Sequence, residues 1–457
     1  MTKRVLLFLV FSYIFFGPFA HAGLSEQVQE TMLPNGLKVL LLENHKAPVV
    51  TFQVWYRVGS RNEVWGKTGL SHMLEHMMFK GTKKVGPEQF SRIIQENGGN
   101  DNAFTSNDYT AYYTNISADR VHIPLELESD RMANLILKND DFTTERMVVM
   151  EERRLRTEDN PQTFLMEQLE AAAFQIQPYH WPTIGWMEDI ERFTLEDLKA
   201  YHKLYYNPAN AVIVVAGDFK KEQLLPRIRK SFGLIPKGIA PDQKRGVDQK
   251  QAGERRIVVK REAQLPSIVI GYHAPNLHNP DSYVLEVITA ILSSGKSSRF
   301  YKDLVREKQL VLSADADHML ISHDPGLFYI SAELLPGKEP VEVEKALDEE
   351  IARLQKEPVS AKELQKVKNQ LEAQFTYSQD SLFNQAMLLA RHEIDADWRR
   401  VDDYLPLIRK VSPEDIMRVA GQYLIQDNRT VGTLIPIPPK DGKPAPLGPP
   451  GKEHLTR

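Results

Sequence analysis

The sequence predicts an α+β fold made of two homologous α/β halves of about 200 residues each. Three observations carry this. First, the chain repeats itself without gaps: Thr194-Leu-Glu-Asp-Leu matches Ser412-Pro-Glu-Asp-Ile, and the same shift sets Tyr205 on Tyr423, Asn210 on Asn428 and Ile213 on Val431. Second, the order of elements recurs. Strand patterns near Arg256–Lys260 and Ser267–Tyr272 lead into a helical pattern at 281–293, as strands lead into a helix in the first part. Third, residues 236–255, PKGIAPDQKRGVDQKQAGER, are poor in apolar residues and rich in Lys, Gln and Gly, the composition of a linker. The expected halves are therefore 23–235 and 256–436. A Pro- and Gly-rich tail at 437–457 is expected to be disordered.

In order along the chain, residues 1–22 read as a signal peptide. Lys3 and Arg4 precede an apolar run from Val5 to Phe16, and Ala20-His21-Ala22 offers small residues to a signal peptidase. Export to a bacterial periplasm is the expectation, with the mature chain starting at Gly23 and no membrane span left in it. Asn35-Gly36 lies between apolar runs in 26–43 and predicts a hairpin. Residues 49–58 read as a strand, 69–81 and 87–96 as helices, and 102–116 as one or two strands rich in Thr, Tyr and Phe. Helices are expected at 122–138, at 143–158 (opened by Thr143 or Thr144 and ended near Asn160-Pro161) and at 195–205. A buried strand follows at 211–216.

Composition narrows the function. Basic residues (57) do not exceed acidic ones (61) and are scattered, which argues against a nucleic-acid partner. There is no cysteine, so a metal site must use His, Asp or Glu, and no thiol nucleophile is available.

The chemistry concentrates in residues 69–81, GLSHMLEHMMFKG. Leu70, Met73, Leu74, Met77 and Met78 form one apolar helical face, and His72, Glu75, His76 and Phe79 the adjoining one. Two histidines one turn apart can share a metal ion, and a carboxylate beside them can take a proton from a water on it. The order is HxxEH. The bland alternative is a pair of hydrogen-bonded histidines inside an apolar helix. A third ligand is sought in 143–158, which offers Glu145, Glu151 and Glu152. Glu145 and Glu152 share a face but stand about 10.5 Å apart along the axis, so one could ligate and the other support it. A solvated charged helix surface is the competing reading of that segment.

At this point the chain resembles the insulinase/pitrilysin family of zinc metallopeptidases, the inverzincins, which includes mitochondrial processing peptidase. The matching residues are Val58 to Glu63, then Gly69, His72, Glu75, His76, Phe79, Gly81 and Thr82. Gly99 to Ser106, Thr110 to Tyr113, Glu145-Arg146, Glu151 to Arg153, Pro208 to Asn210 and Gly217-Asp218 continue the match. The resemblance implies that each half is a roll-like sandwich, an antiparallel-rich mixed sheet packed on helices. It implies one Zn2+ held by His72, His76 and Glu152, with Glu145 as a supporting carboxylate and Glu75 as the general base. It also implies that a peptide substrate lies as an added strand along Asn102, Ala103, Phe104 and Thr105. The metal-type residues occur in the first half alone, so the second is expected to be inactive.

The family's second half carries an arginine and, shortly after it, a tyrosine that grip the substrate carbonyl. Arg306 keeps the arginine, but Leu312 or Ser313 stands where the tyrosine would be. Half-length members of this kind often work in pairs. The resemblance therefore implies a homodimer, or a heterodimer with a related chain that supplies the tyrosine. The function expected is an exported zinc endopeptidase acting on peptides or unfolded segments in a chamber between homologous domains. The alternatives are a non-catalytic subunit, which the complete HxxEH disfavours, and a peptide-binding scaffold, which the missing tyrosine keeps open. His180, His273, His318 and His392 have no spacing partners and read as structural or surface residues.

Overall fold

The computed structural model describes residues 23–244 and 246–438. Residues 1–22, expected to be a signal peptide, and residues 439–457 of the expected tail lie outside the described residues. Strands β1 (Val28–Met32), β2 (Lys38–Glu43), β3 (Val49–Tyr56), β4 (Asn100–Thr105), β5 (Thr110–Ser117) and β6 (Ala211–Gly217) form a six-stranded sheet in the order β1-β2-β6-β3-β5-β4. Strands β7 (Arg255–Glu262), β8 (Ser267–Ala274), β9 (Val311–His318), β10 (Gly326–Leu334) and β11 (Arg429–Ile437) form a five-stranded sheet in the order β7-β11-β8-β10-β9. In each, one pair is parallel, β2 with β6 and β7 with β11, and the rest are antiparallel. Both are the mixed, antiparallel-rich sheets the sequence led us to expect, and without β1 the two orders coincide.

The repeat seen in sequence is a repeat of local structure. Thr194 and Ser412 each cap a helix (Leu195–Tyr205 and Pro413–Tyr423) in a reciprocal capping box with Asp197 and Asp415. Asn210 and Asn428 then do the same work. Each amide donates to the carbonyl of the tyrosine five residues back, Tyr205 or Tyr423, and to a carbonyl of the neighbouring strand end, Arg57 or His273.

Strand β6 is buried throughout, because both faces of its sheet are covered. One face packs on helices of its own half, with Ile213 and Val215 beside Met73, Leu198 and Phe232. The other receives helix Leu382–Asp395 from the second half, whose Leu389, Ala390 and Ile394 lie against Val212, Val214 and Ala216. The exchange is mutual. Helix Pro161–Ala173 of the first half lays Leu165 and Leu169 on Val269, Leu327 and Leu434 of the second sheet. The sequence reading missed this helix, taking Asn160-Pro161 only as a stop. Proline ends one helix and starts the next at its first position, and the Asn160 side chain accepts from the amides of Gln162 and Thr163.

Other boundaries differ from expectation as well, and the helix expected at 122–138 ends at Asn134. The helix expected at 143–158 begins at Asn139; Thr143 and Thr144 sit inside it, and their hydroxyls return to the carbonyls of Asn139 and Asp140. It runs to Arg153 and continues as a wider π-type turn over Arg154–Glu158. Residues 236–254 hold no helix or strand among the described residues, yet they are pinned along their length. Gln243 bonds Arg61, Asn62 and Arg57, Asp248 accepts from the amides of Gln175 and Ile176, and Gln251 donates to Arg429. Finally, Ile437 belongs to β11 and pairs with Glu262, so the expected tail begins one residue inside a strand.

An ionic clasp joins the halves. Glu393, on the helix that crosses to the first sheet, lies 2.7 Å from Lys38 and 2.5 Å from Arg57, with its side chain 4% exposed. Glu393→Ala takes the nearest anion from two partly buried cations, leaving Lys38 only Glu30 at 3.9 Å, and we expect a loss of about 3 kcal/mol in stability, read as a fall in the urea midpoint. Glu372→Ala, which breaks a solvent-exposed pair with Arg409, should leave the midpoint almost unchanged.

Candidate metal centre

The motif helix runs Leu70–Met77, and a 3-10 turn, Met78–Lys80, continues it. Its start is clamped. Gly69 has φ +91, and a β-carbon there would come within 2.6 Å of the Ile184 carbonyl, so the entry turn requires glycine. The Glu63 carboxyl group accepts the amides of Gly69 and Ser71, both at 2.7 Å, and so caps the first turn, although burial raises its pKa to about 8 against those bonds. Leu70, Met73, Leu74, Met77 and Met78 are buried in the first-half core, as their spacing requires. The adjoining face turns toward helix Asn139–Arg153.

Between these two helices the side chains alternate like rungs. Glu152 faces both histidines: its Oε1 is 3.7 Å from His72 Nε2 and its Oε2 is 3.3 Å from His76 Nε2. One ligand atom from each of the three lies within 4.8 Å of the others, the spacing at which a single cation can be held. Seven residues back, Glu145 Oε1 is 2.8 Å from His76 Nδ1, and its Oε2 is 2.5 Å from Lys80 Nζ. Glu151 is exposed and pairs with Arg154, away from the cluster. Helical spacing sets Glu151 off the face that Glu145 and Glu152 share, and those two are the glutamates that meet the histidines. Glu75 lies next to the same group and accepts a 2.5 Å hydrogen bond from the Thr105 hydroxyl at the end of β4.

The electrostatics divide the two histidines. Burial lowers His72 to about 4, so its ring is neutral. Burial acts on His76 in the same sense, but hydrogen bonds to Glu145 and Glu152 outweigh it and raise that ring to about 9. Burial would raise Glu152, yet the bond to His76 and the charges of His72 and Arg156 hold it down at about 2. Glu145 is likewise kept below the ordinary carboxylate range by His76 and Lys80, against its burial. Glu75 goes the other way: burial raises it, opposed by the Thr105 bond. The group thus contains two ionised carboxylates, Glu152 and Glu145, one neutral and one protonated imidazole, and one carboxyl group, Glu75, shifted upward.

The other expected residues fall into two sets. Asn102, Ala103, Phe104 and Thr105 lie in β4, an edge strand bonded on one side to β5. Ala103 packs into the core under the motif helix, whereas Phe104 turns to the opposite face, edge-on to Trp55. Arg306 is exposed on the turn Tyr301–Glu307 of the second half and makes no contact with the cluster; Leu312 is exposed at the start of β9. His318 and His392 are tied by hydrogen bonds within the second half, and His180 lies tilted against Trp65 and edge-on to Trp181. Sequence reasoning missed two cations at the site. Arg156 is 2.8 Å from Glu152. Lys80 could have been found, because His72, His76 and Lys80 recur every four residues and so form one helical stripe.

Comparison with known proteins follows the same division. Residues 38–185 match the family model described as Insulinase (Peptidase family M16), and residues 192–371 match the one described as Peptidase M16 inactive domain. The second match begins ahead of β6, which belongs to the first sheet. The zinc protease PqqE of Helicobacter pylori is 35% identical over 419 residues, covering 89% of this chain and 93% of that protein. An uncharacterized zinc protease, YmxG of Bacillus subtilis, is 25% identical over 400 residues, covering 86% and 95%. The crystal structure of a protease from Helicobacter pylori superposes with a TM-score of 0.84 at 34% identity, covering 90% of this chain and 99% of that one. The periplasmic protease PqqL of Escherichia coli shares the fold, with a TM-score of 0.74 at 17% identity, over 90% of this chain and 48% of that one.

Proposed function

The chain belongs to the insulinase family, peptidase family M16, and from that premise we propose that it is an exported, zinc-dependent endopeptidase that cleaves peptides or unfolded polypeptide segments. The observation that carries this is the convergence of His72, His76 and Glu152 with Glu75 beside them. Two imidazole nitrogens and one carboxylate fit a catalytic zinc, which takes three protein ligands and leaves a position open. Zinc held there supplies Lewis acidity to the scissile carbonyl and eases deprotonation of water.

The chain's own residues do the rest. Glu75 takes the proton from the attacking water at its carboxylate and passes it on to the leaving amine; its upward shift suits a base that must also act as an acid. The Thr105 hydroxyl fixes one oxygen of Glu75, leaving the other to face the reaction. Glu145 orients the His76 ring through Nδ1. The open edge of β4, Asn102 to Thr105, offers backbone groups to an extended peptide, which explains a preference for unfolded segments. Arg306, with a tyrosine from a second, related chain in a homodimer or heterodimer, grips the substrate carbonyl. Leu312 and Ser313 at the expected tyrosine position motivate that partner. Export to the periplasm rests on residues 1–22, a short basic start, an apolar run and small residues at Ala20 and Ala22. Among the described residues no helix is long and apolar enough to cross a membrane.

The test is a zinc titration and a peptide-cleavage assay on the mature chain from Gly23, with and without chelator and with and without a co-expressed relative. One zinc per chain and chelator-sensitive cleavage are expected. Zinc binding without cleavage under any pairing would select the peptide-binding scaffold, and no zinc binding would leave a non-catalytic subunit. The titration carries a further expectation. His76 holds a proton on the nitrogen that must ligate, while His72 is already neutral and Glu152 already ionised. Zinc uptake at about pH 7.5 should therefore release about one proton per ion. The release should fall away as the pH rises through the raised value of His76, as measured by calorimetry in buffers of different ionisation heats.

A further inference from the structure

Lys80 ends the stripe that begins with the two histidines. It follows His76 by one turn, and its side chain, like that of His76, reaches Glu145. The rungs between the helices therefore run His72, Glu152, His76, Glu145, Lys80, each carboxylate gripped by two groups of the motif helix. The chain is held at this point. Gly81, with φ +89, turns it sharply after Lys80; a β-carbon there would collide with the Val85 carbonyl, and the amide of Ile136 donates to the Gly81 carbonyl. The Lys80 backbone is thus fixed over Glu145. The Lys80 side chain is 22% exposed and that of Glu145 12%, so the pair is partly shielded from water, unlike an ordinary surface ion pair.

The two histidines are supported unequally. His72 Nδ1 is buried and has no hydrogen-bond partner among the described residues. His76 Nδ1 has one, and that partner has Lys80 behind it. A carboxylate held at both oxygens cannot rotate, and an acceptor fixed opposite Nδ1 holds the ring proton there, so that when Nε2 gives up its own proton as a metal binds its lone pair already faces the group formed with His72 and Glu152.

We propose that Lys80 is a positioning residue of the metal site: by pinning Glu145 it fixes the tautomer and orientation of His76 and so sets how tightly the site holds zinc. This rests on the zinc-site reading above. A lysine serving only the helix C-terminus would stabilise the helix dipole and leave His76 indifferent to it.

The experiment compares wild type, Lys80→Met, Lys80→Arg, Glu145→Gln and the double variant Lys80→Met/Glu145→Gln. Zinc affinity is read by competition with a chromophoric chelator, and the His76 ring nitrogens by 15N NMR of the metal-free proteins. Lys80→Met should weaken zinc binding about tenfold, within the range found for partners of ligating histidines, and should broaden or shift the His76 Nδ1–H signal while leaving His72 unchanged. Lys80→Arg should restore both. The double variant should lose no more than Glu145→Gln alone, because Lys80 acts through that carboxylate. Wild-type affinity and an intact Nδ1–H signal in Lys80→Met would overturn the proposal, as would additive losses in the double variant. Should Lys80→Met fail to fold, Lys80→Arg against Glu145→Gln keeps the comparison. If the wild type binds no zinc, the zinc reading fails, and the NMR comparison still decides whether Lys80 holds His76.

Discussion

Glu75→Gln should bind zinc as the wild type does and lose peptide cleavage by a factor of about 10² to 10⁴, the range for removal of a general acid–base. The side chain keeps its shape, and the amide can still accept from the Thr105 hydroxyl, so the helix and the three ligands stay in place. What is lost is the proton acceptor. Glu75 lies off the line of ligand atoms, with Glu152 and both histidines converging without it, so metal stoichiometry should not change. The pH profile adds a second check. The wild type should gain activity as Glu75 ionises, with its acid limb above the ordinary glutamate range because burial raises the group. That limb should vanish in the variant. Cleavage at the wild-type rate by Glu75→Gln would remove Glu75 from the chemistry.

The second large effect separates the three glutamates of one helix. Glu152→Ala should abolish zinc retention, a loss well beyond the roughly 10- to 100-fold expected when an outer partner is removed. It takes away one of three ligand atoms and the sole carboxylate between the two histidines. Glu145→Gln should fall inside that 10- to 100-fold range, because it loses the charged partner of His76 and keeps the ligands. Glu151→Ala should bind zinc normally, since Glu151 points to solvent and pairs with Arg154. The graded order, 152 over 145 over 151, is read by metal analysis after gel filtration and by chelator competition. Equal losses at 145 and 152 would mean that both ligate, and a loss at 151 would mean that the helix presents a different face.

Much of this was legible in the residues. HxxEH states its own geometry, because spacing of four on a helix puts two side chains on one face, and the apolar residues around it dictate which face is buried. The capping signatures at Thr194 and Ser412 and the asparagines at 210 and 428 likewise act within a few residues of themselves, so their repeat in sequence was already a repeat in structure. Lys80 was present in the same four-residue rhythm but gained meaning only when Glu145 was found opposite it.

Other features could not be read, for a shared reason. The helix at Pro161–Ala173 belongs in sequence to the first half and packs on the second sheet, and Leu382–Asp395 does the reverse. Polar residues at 236–254 resemble a free linker until Arg57, Arg61 and Arg429 are seen to meet them. The sequence by itself determined the two-half organisation, the strands and helices that repeat, and the residues of the motif helix that could meet a metal. The tertiary structure decided which glutamates complete the group, which helices cross between the sheets and which cation stands behind His76. Local periodicity encodes what shares a face of one element; which two faces meet is set by packing between segments far apart in the chain, where side-chain shape and charge matter and spacing carries no information.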